Sequence, residues 1–117
     1  MHNICDKIDF ILDKIETIEE IISKVKITDA LNDEKILRPA VLMHLMQVGE
    51  SLNAIYRKTP DIVKKYDLEE DVKGAYNVRN FIAHDYEGVN LAIIESILRN
   101  NLQNLKIKIK DMKNECK

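Results

Sequence analysis

Isoleucine and valine recur through the first fifth of the chain with a spacing that leaves the backbone little freedom. Ile4, Ile8, Ile11, Ile15, Ile18, Ile22 and Val25 are separated by 4, 3, 4, 3, 4 and 3 residues. At about 100° per residue, that rhythm keeps all seven on one stripe of a helix. The segment must therefore be a long helix packed lengthwise on a partner. Phe10, Leu12 and Ile21 widen the stripe, which suits a bundle interior better than a two-stranded coil. Roughly 24 residues at about 1.5 Å each make a rod near 36 Å long.

The remaining apolar pattern repeats this theme. Leu37, Val41, Leu45, Val48, Leu52 and Ile55 mark a second long helix, with Thr28 or Asp29, or else Asn32 or Asp33, as capping residues before it. Pro39 lies inside the pattern, so the helix kinks there or begins close by. Gly49, in mid-helix, costs about 1 kcal/mol relative to alanine; a close helix approach or a nearby site would account for it. Thr59-Pro60 closes this helix and can start a short one near 60–66. Asp67-Leu68-Glu69-Glu70 reads as a capping box before a third helix that turns Val72, Ala75, Val78 and Ile82 inward. Gly88 stops that helix, and Asn90 caps a fourth carrying Leu91, Ile94, Leu98, Leu102, Leu105, Ile109 and Met112. Residues 105–110 alternate like a strand, but the 3-and-4 spacing persists across them and a lone strand would have no partner. The expected fold is all-α: one domain over 1–117, an up-down four-helix bundle with a short extra helix near 60–66.

Composition narrows the class further. With 45% apolar and 32% charged residues among 117, the chain is long enough for a core of its own and suits a soluble helical protein. No apolar run reaches membrane-span length, and the start lacks a signal peptide's apolar stretch, so a cytoplasmic location is expected. In a reducing compartment Cys5 and Cys116 are expected as free thiols, since they lack CxxC or Cys/His spacing. The net charge of −2 gives no global argument for nucleic-acid binding. The end of the chain is basic, however, with Arg99, Lys106, Lys108, Lys110, Lys113 and Lys117 against Asp111 and Glu115. Such a tail can hold RNA phosphates, or it can be a solvated helix end.

One segment is chosen by chemistry more than by packing: Arg79-Asn80-Phe81-Ile82-Ala83-His84-Asp85-Tyr86. If the helix continues through it, Arg79, Ala83 and Tyr86 share a stripe, and Asn80 and His84 share the next. Arg79 and His84 are then about 140° apart, and meet only if the helix bends or a second copy supplies one of them. RNA cleavage without metal needs a base for the 2′-OH proton and a fixed cation near the phosphorane. Histidine titrates in the right range, and arginine's planar fork matches phosphate oxygens. Asn80 could orient His84, and Tyr86 could donate to phosphate or stack on a base. The plainer reading is an ordinary helix end, with Arg79 paired to Asp85 or Glu87. Glu50 could meet a cation such as Arg79 or stand as an exposed acid, and His44 reads as a core-edge residue. With His2, His44 and His84 scattered and no Glu-x-x-His, no metal or cofactor is expected.

The order Arg79-Asn80, three residues, His84-Asp85-Tyr86 resembles the signature of HEPN domains, and its His-x-Tyr ending resembles the HepT toxin family. Val48-Gly49-Glu50, Pro60 and Val89-Asn90 support the likeness across nearly the whole chain. Asp71-Val72 stands where many relatives carry Pro-Trp. The resemblance implies a dimerising helical bundle and a metal-independent endoribonuclease leaving 2′,3′-cyclic phosphate ends, with Arg79, Asn80, His84 and Tyr86 at its site. It also implies the toxin role in a toxin–antitoxin pair of type II or VII character. The partner would be a minimal nucleotidyltransferase (MNT) antitoxin that silences the toxin by binding or by transferring AMP to Tyr86. Two other readings compete: a non-catalytic HEPN module that only binds a nucleotidyltransferase, and a bundle whose seam serves self-assembly alone.

Overall fold

The computed structural model describes residues 3–116. It contains α1 (Ile4–Lys24), α2 (Ile27–Asn32), α3 (Leu37–Lys58), α4 (Pro60–Lys65), α5 (Glu69–His84), α6 (Leu91–Asn100) and α7 (Leu102–Met112). A 3₁₀ turn, Lys113–Cys116, follows, and there is no strand among the described residues. The isoleucine seam forms α1 as its spacing requires. Asn3 caps the helix by accepting from the Asp6 N–H at 2.9 Å. Ile8, Ile11, Ile15 and Ile18 are fully buried, whereas Val25 lies just past the helix end and is exposed.

The second helix begins near Pro39 without a kink. Pro39 is the third residue of α3, where a backbone N–H has no carbonyl to bond within the helix, so the missing donor costs little. Asp33 caps this start, its carboxylate accepting from the N–H groups of Lys35, Ile36 and Leu37. Thr28 and Asp29, expected as caps, lie inside α2 instead. That helix is six residues long, too short for periodicity to reveal. The short helix at Pro60 is present with proline at its first position.

The expected capping box and the expected single fourth helix are also corrected. Asp67 is not a capping residue; it takes a left-handed backbone with φ of 56°, and Leu68 directly precedes α5 with its side chain wholly buried. Core burial of Leu68 dictates the turn there, over the capping pattern. The fourth helix is not continuous but bends at Asn101 into α6 and α7. Backbone bonds from Asn101 N–H to Ile97 O (3.0 Å) and from Leu105 N–H to Asn101 O (3.0 Å) bridge the bend. Asparagine is a weak helix former, and Leu98 and Leu102 stay buried on either side.

Cross-helix bonds define the up-down order. Tyr56 donates to Glu69 at 2.6 Å while Arg79 reaches back to Glu50, so α3 and α5 run antiparallel with α3 in the middle of the bundle. Lys106 pairs with Glu19 at 2.7 Å and Lys113 with Asp9 at 2.9 Å, laying α7 antiparallel on α1. The basic end of the chain is thus largely spent inside the fold. Lys108 holds Asp71 and the Asp67 carbonyl, both at 2.9 Å, and Arg99 holds Glu95. Hydrogen bonds from Lys106 to Glu19 and from Lys108 to Asp71 raise both lysine pKa values. Lys117 lies outside the described residues.

The thiols are the clearest correction. Cys5, in the first turn of α1, and Cys116, at the end of the 3₁₀ turn, form a disulfide with Cα atoms 5.6 Å apart. Compartment reasoning favoured free thiols, but the antiparallel packing of α7 on α1 returns the end of the chain to its start, within bonding geometry. Glu115 adds to this clamp, accepting from Lys65 Nζ at 2.9 Å and from the Tyr66 hydroxyl at 2.5 Å.

Two outcomes follow from these bonds. The cross-link closes a loop with a sequence separation of 111, so reduction, or Cys116→Ser, should lower unfolding free energy by about 2–5 kcal/mol in urea titrations. Tyr66 and Lys65 hold the Glu115 carboxyl below the usual glutamate value of 4.5, and Tyr56 does the same for Glu69. A lowered folded-state pKa gives stability that is present above 4.5 and is lost as pH falls through the folded value. Melting temperature should therefore drop on acidification below about pH 4.5, and Glu115→Gln should flatten that drop.

Candidate active site

Arg79 is placed by a backbone contact one helix away. Gly49 is buried in α3, and a Cβ built there would strike the Ala75 carbonyl oxygen and come within 2.9 Å of Arg79 Cβ. The absence of a side chain lets α3 and α5 approach closely at this level, which brings Glu50 alongside Arg79. Arg79 Nε donates to Glu50 Oε2 at 3.0 Å and Nη1 to Asn80 Oδ1 at 2.9 Å. The guanidinium carbon lies 5.9 Å from the Tyr76 ring centre, a cation–π distance. Neither Asp85 nor Glu87 is its partner.

His84 is the last residue of α5 and is exposed. It shares a helix with Arg79 but not a face, since five residues turn the helix by about 140°. The Asn80 carbonyl oxygen accepts from Arg79, and no hydrogen bond joins Asn80 to His84 among the described residues. The expected stripe through Tyr86 does not form. The helix ends at His84, Asp85 takes φ −148° and ψ 79°, and Asp85 makes a turn in which the Gly88 N–H donates to Asp85 Oδ1 at 3.0 Å. Tyr86 sits on that turn, off the helix and 43% exposed. Asn90 starts α6 as expected, accepting from Ala92 and Ile93 N–H.

The other residues singled out take clear places. His44 contacts the Ala40 carbonyl through Nδ1 at 2.6 Å, one turn back along α3, and is half-buried. Among the described residues no group of three His, Cys, Asp or Glu side chains gathers as a metal-binding cluster. Nor is any described helix long and apolar enough to cross a membrane. Sequence reasoning missed Tyr76 beside Arg79, although its i, i+3 spacing signals the contact. Beyond Glu50 the surface continues as a groove of about 230 Å³ lined by Phe10, Met43, Met46, Gln47, Glu50 and Ser51. Phe10 and Met43 are large apolar side chains left exposed.

A family model described as ribonuclease HepT-like matches residues 11–112. The chain belongs to the HepT-like family. No curated protein and no solved structure matches it. The matched span takes in nearly all the helices and the whole of 79–86, and HepT-like membership implies ribonuclease chemistry on an all-α HEPN bundle. The cysteine pair falls outside the matched residues.

The Gly49 contact is open to direct test. Because the obstructing atom is a backbone oxygen, Gly49→Ala should destabilise the fold by about 1–3 kcal/mol despite alanine's better helix propensity. A melt at or above the parent temperature would show that α3 and α5 have room to separate.

Proposed function

We propose that this chain is a metal-independent endoribonuclease acting as the toxin of a toxin–antitoxin pair. The observation that carries the reading is the state of Arg79. In a HepT-like chain, the motif arginine is held at the surface by Glu50 and Asn80 with three of its five N–H groups free for phosphate oxygens. His84 takes the 2′-OH proton, and the 2′-oxygen attacks phosphorus. The P–O5′ bond breaks and the leaving 5′-oxygen takes a proton from water or from the imidazolium of a His84, leaving a 2′,3′-cyclic phosphate and a 5′-hydroxyl. Arg79 stabilises the charge on the phosphorane. Asn80 steadies Arg79, and Tyr86 contacts the RNA.

Because Arg79 and His84 diverge on one helix, the working site is composite. A second copy related by a two-fold axis sets the His84 of one chain against the Arg79 of the other. The exposed Phe10 and Met43 beside Glu50 support a face for that contact next to Arg79. Silencing by an MNT-type nucleotidyltransferase antitoxin fits the position of Tyr86. A hydroxyl on an exposed turn beyond a helix end is easier for another enzyme's active site to engage than one within a helix. An AMP group there adds negative charge and bulk where RNA must lie. The alternative, a non-catalytic HEPN module that binds such a nucleotidyltransferase, is favoured by one feature: Arg79 already has a carboxylate partner.

Cleavage decides between these readings. Purified protein should cut RNA in EDTA with cyclic phosphate ends, and His84→Ala should lose about 10²–10⁴-fold in rate; an inert parent protein would favour the binding module. Met43→Glu should shift the species seen by analytical ultracentrifugation from dimer to monomer and abolish cleavage with it. Incubation with the nucleotidyltransferase and labelled ATP should label the parent protein but not Tyr86→Phe.

A further inference from the structure

In the scheme above Glu50 does no more than hold Arg79 at the surface, and among the described residues theirs is the one ion pair that Arg79 makes with another helix. Its side chain is 57% exposed and that of Arg79 28%, and an ion pair so open to water adds little to stability. Its geometry is nonetheless tightly set. Gly49 has no room for a Cβ against Ala75 and Arg79, so the next residue along α3 is carried to the edge of α5 at the level of the guanidinium. Glu50 then takes Nε, the inner nitrogen of the fork. Asn80 takes one proton of Nη1, and the Tyr76 ring lies within cation–π range of the guanidinium. These contacts fix the plane of the group and leave three N–H groups, one on Nη1 and both on Nη2, without a hydrogen-bond partner among the described residues.

We infer that Glu50 is a positioning residue for Arg79: it sets the orientation of the guanidinium fork for the scissile phosphate, at the expense of placing a negative charge near the RNA. The inference rests on the ribonuclease reading and adds to it a residue from the second long helix. The two effects of Glu50 separate kinetically. Loss of orientation lowers turnover, because a misplaced cation stabilises the transition state less. Loss of the negative charge strengthens ground-state binding of a polyanion. Glu50→Ala therefore lowers kcat and KM together, which a merely structural residue would not do. Glu50→Gln keeps an acceptor for Nε and loses only the charge.

The test uses full-length Glu50→Ala and Glu50→Gln with two readouts. In steady-state cleavage of a long unstructured RNA, Glu50→Ala should fall roughly ten- to hundredfold in kcat with a lower KM. Glu50→Gln should keep most of the parent kcat. A parent-like kcat for Glu50→Ala, or an equal loss in both variants, overturns the inference. The second readout needs no activity: the Arg79 side-chain Nε–H resonance in ¹H–¹⁵N spectra, assigned by its disappearance in Arg79→Lys. It should move to the solvent-exchanged position in Glu50→Ala and stay protected in Glu50→Gln. Indifference of that resonance to Glu50→Ala overturns the inference whatever the enzyme does. An inert parent protein overturns the ribonuclease reading, and the resonance then decides the Glu50 contact by itself.

Discussion

The distance between α3 and α5 at Gly49 is the constraint on which the motif depends. Helices with ordinary side chains at their contact sit 8–10 Å apart. Here the backbone of α5 would collide with a single added carbon at Gly49. That closeness lets a glutamate on one helix and an arginine on the next bond within 3.0 Å, and sets the arginine partly into the surface. The antiparallel course of the two helices does the rest. Tyr56 and Glu69 meet at one end, so the motif at the far end of α5 lies near the start of α3, where the exposed Met43 stands.

The fold was legible wherever burial followed a regular period. The isoleucines of α1, the apolar series of α3 and the inward Val72 and Ile82 of α5 were placed by spacing alone. What could not be read depended on which of two local preferences the tertiary structure would favour. Asp67 had the composition of a cap, but Leu68 had to be buried. Asn101 is a weak helix former, but the apolar 3-and-4 spacing runs through it unbroken, with Leu98 and Leu102 buried one on each side of the bend. The cysteines gave no local signal at all, because their pairing follows from chain topology and not from spacing. At the motif, helical geometry correctly separated Arg79 from His84. It failed at Tyr86 because no residue between His84 and Gly88 announces the end of the helix two residues after Ile82 is buried. Gly49 was recognised as a possible close approach; which atoms it approached could come only from the packed helices.

Charge is organised locally in this molecule. The lysines that make the end of the chain look suited to a polyanion are turned onto Glu16, Glu19, Asp9 and Asp71 of neighbouring helices. They hold α7 in place and offer little field to a nucleic acid. With a net charge of −2, the ribonuclease proposed above would depend on a few placed cations more than on long-range attraction. This raises the value of each well-oriented donor at the site.

The cross-link between Cys5 and Cys116 turns almost the whole chain into a covalent ring. A ring has no end from which to unravel, and a single cut in it yields an open chain, not two separate pieces. The exposed turn that carries Tyr86 and Gly88 is a natural place for such a cut. A protease acting there would leave the helices on the two sides of the turn still joined through sulfur, with the motif at one new end of the chain and the approach to α6 at the other.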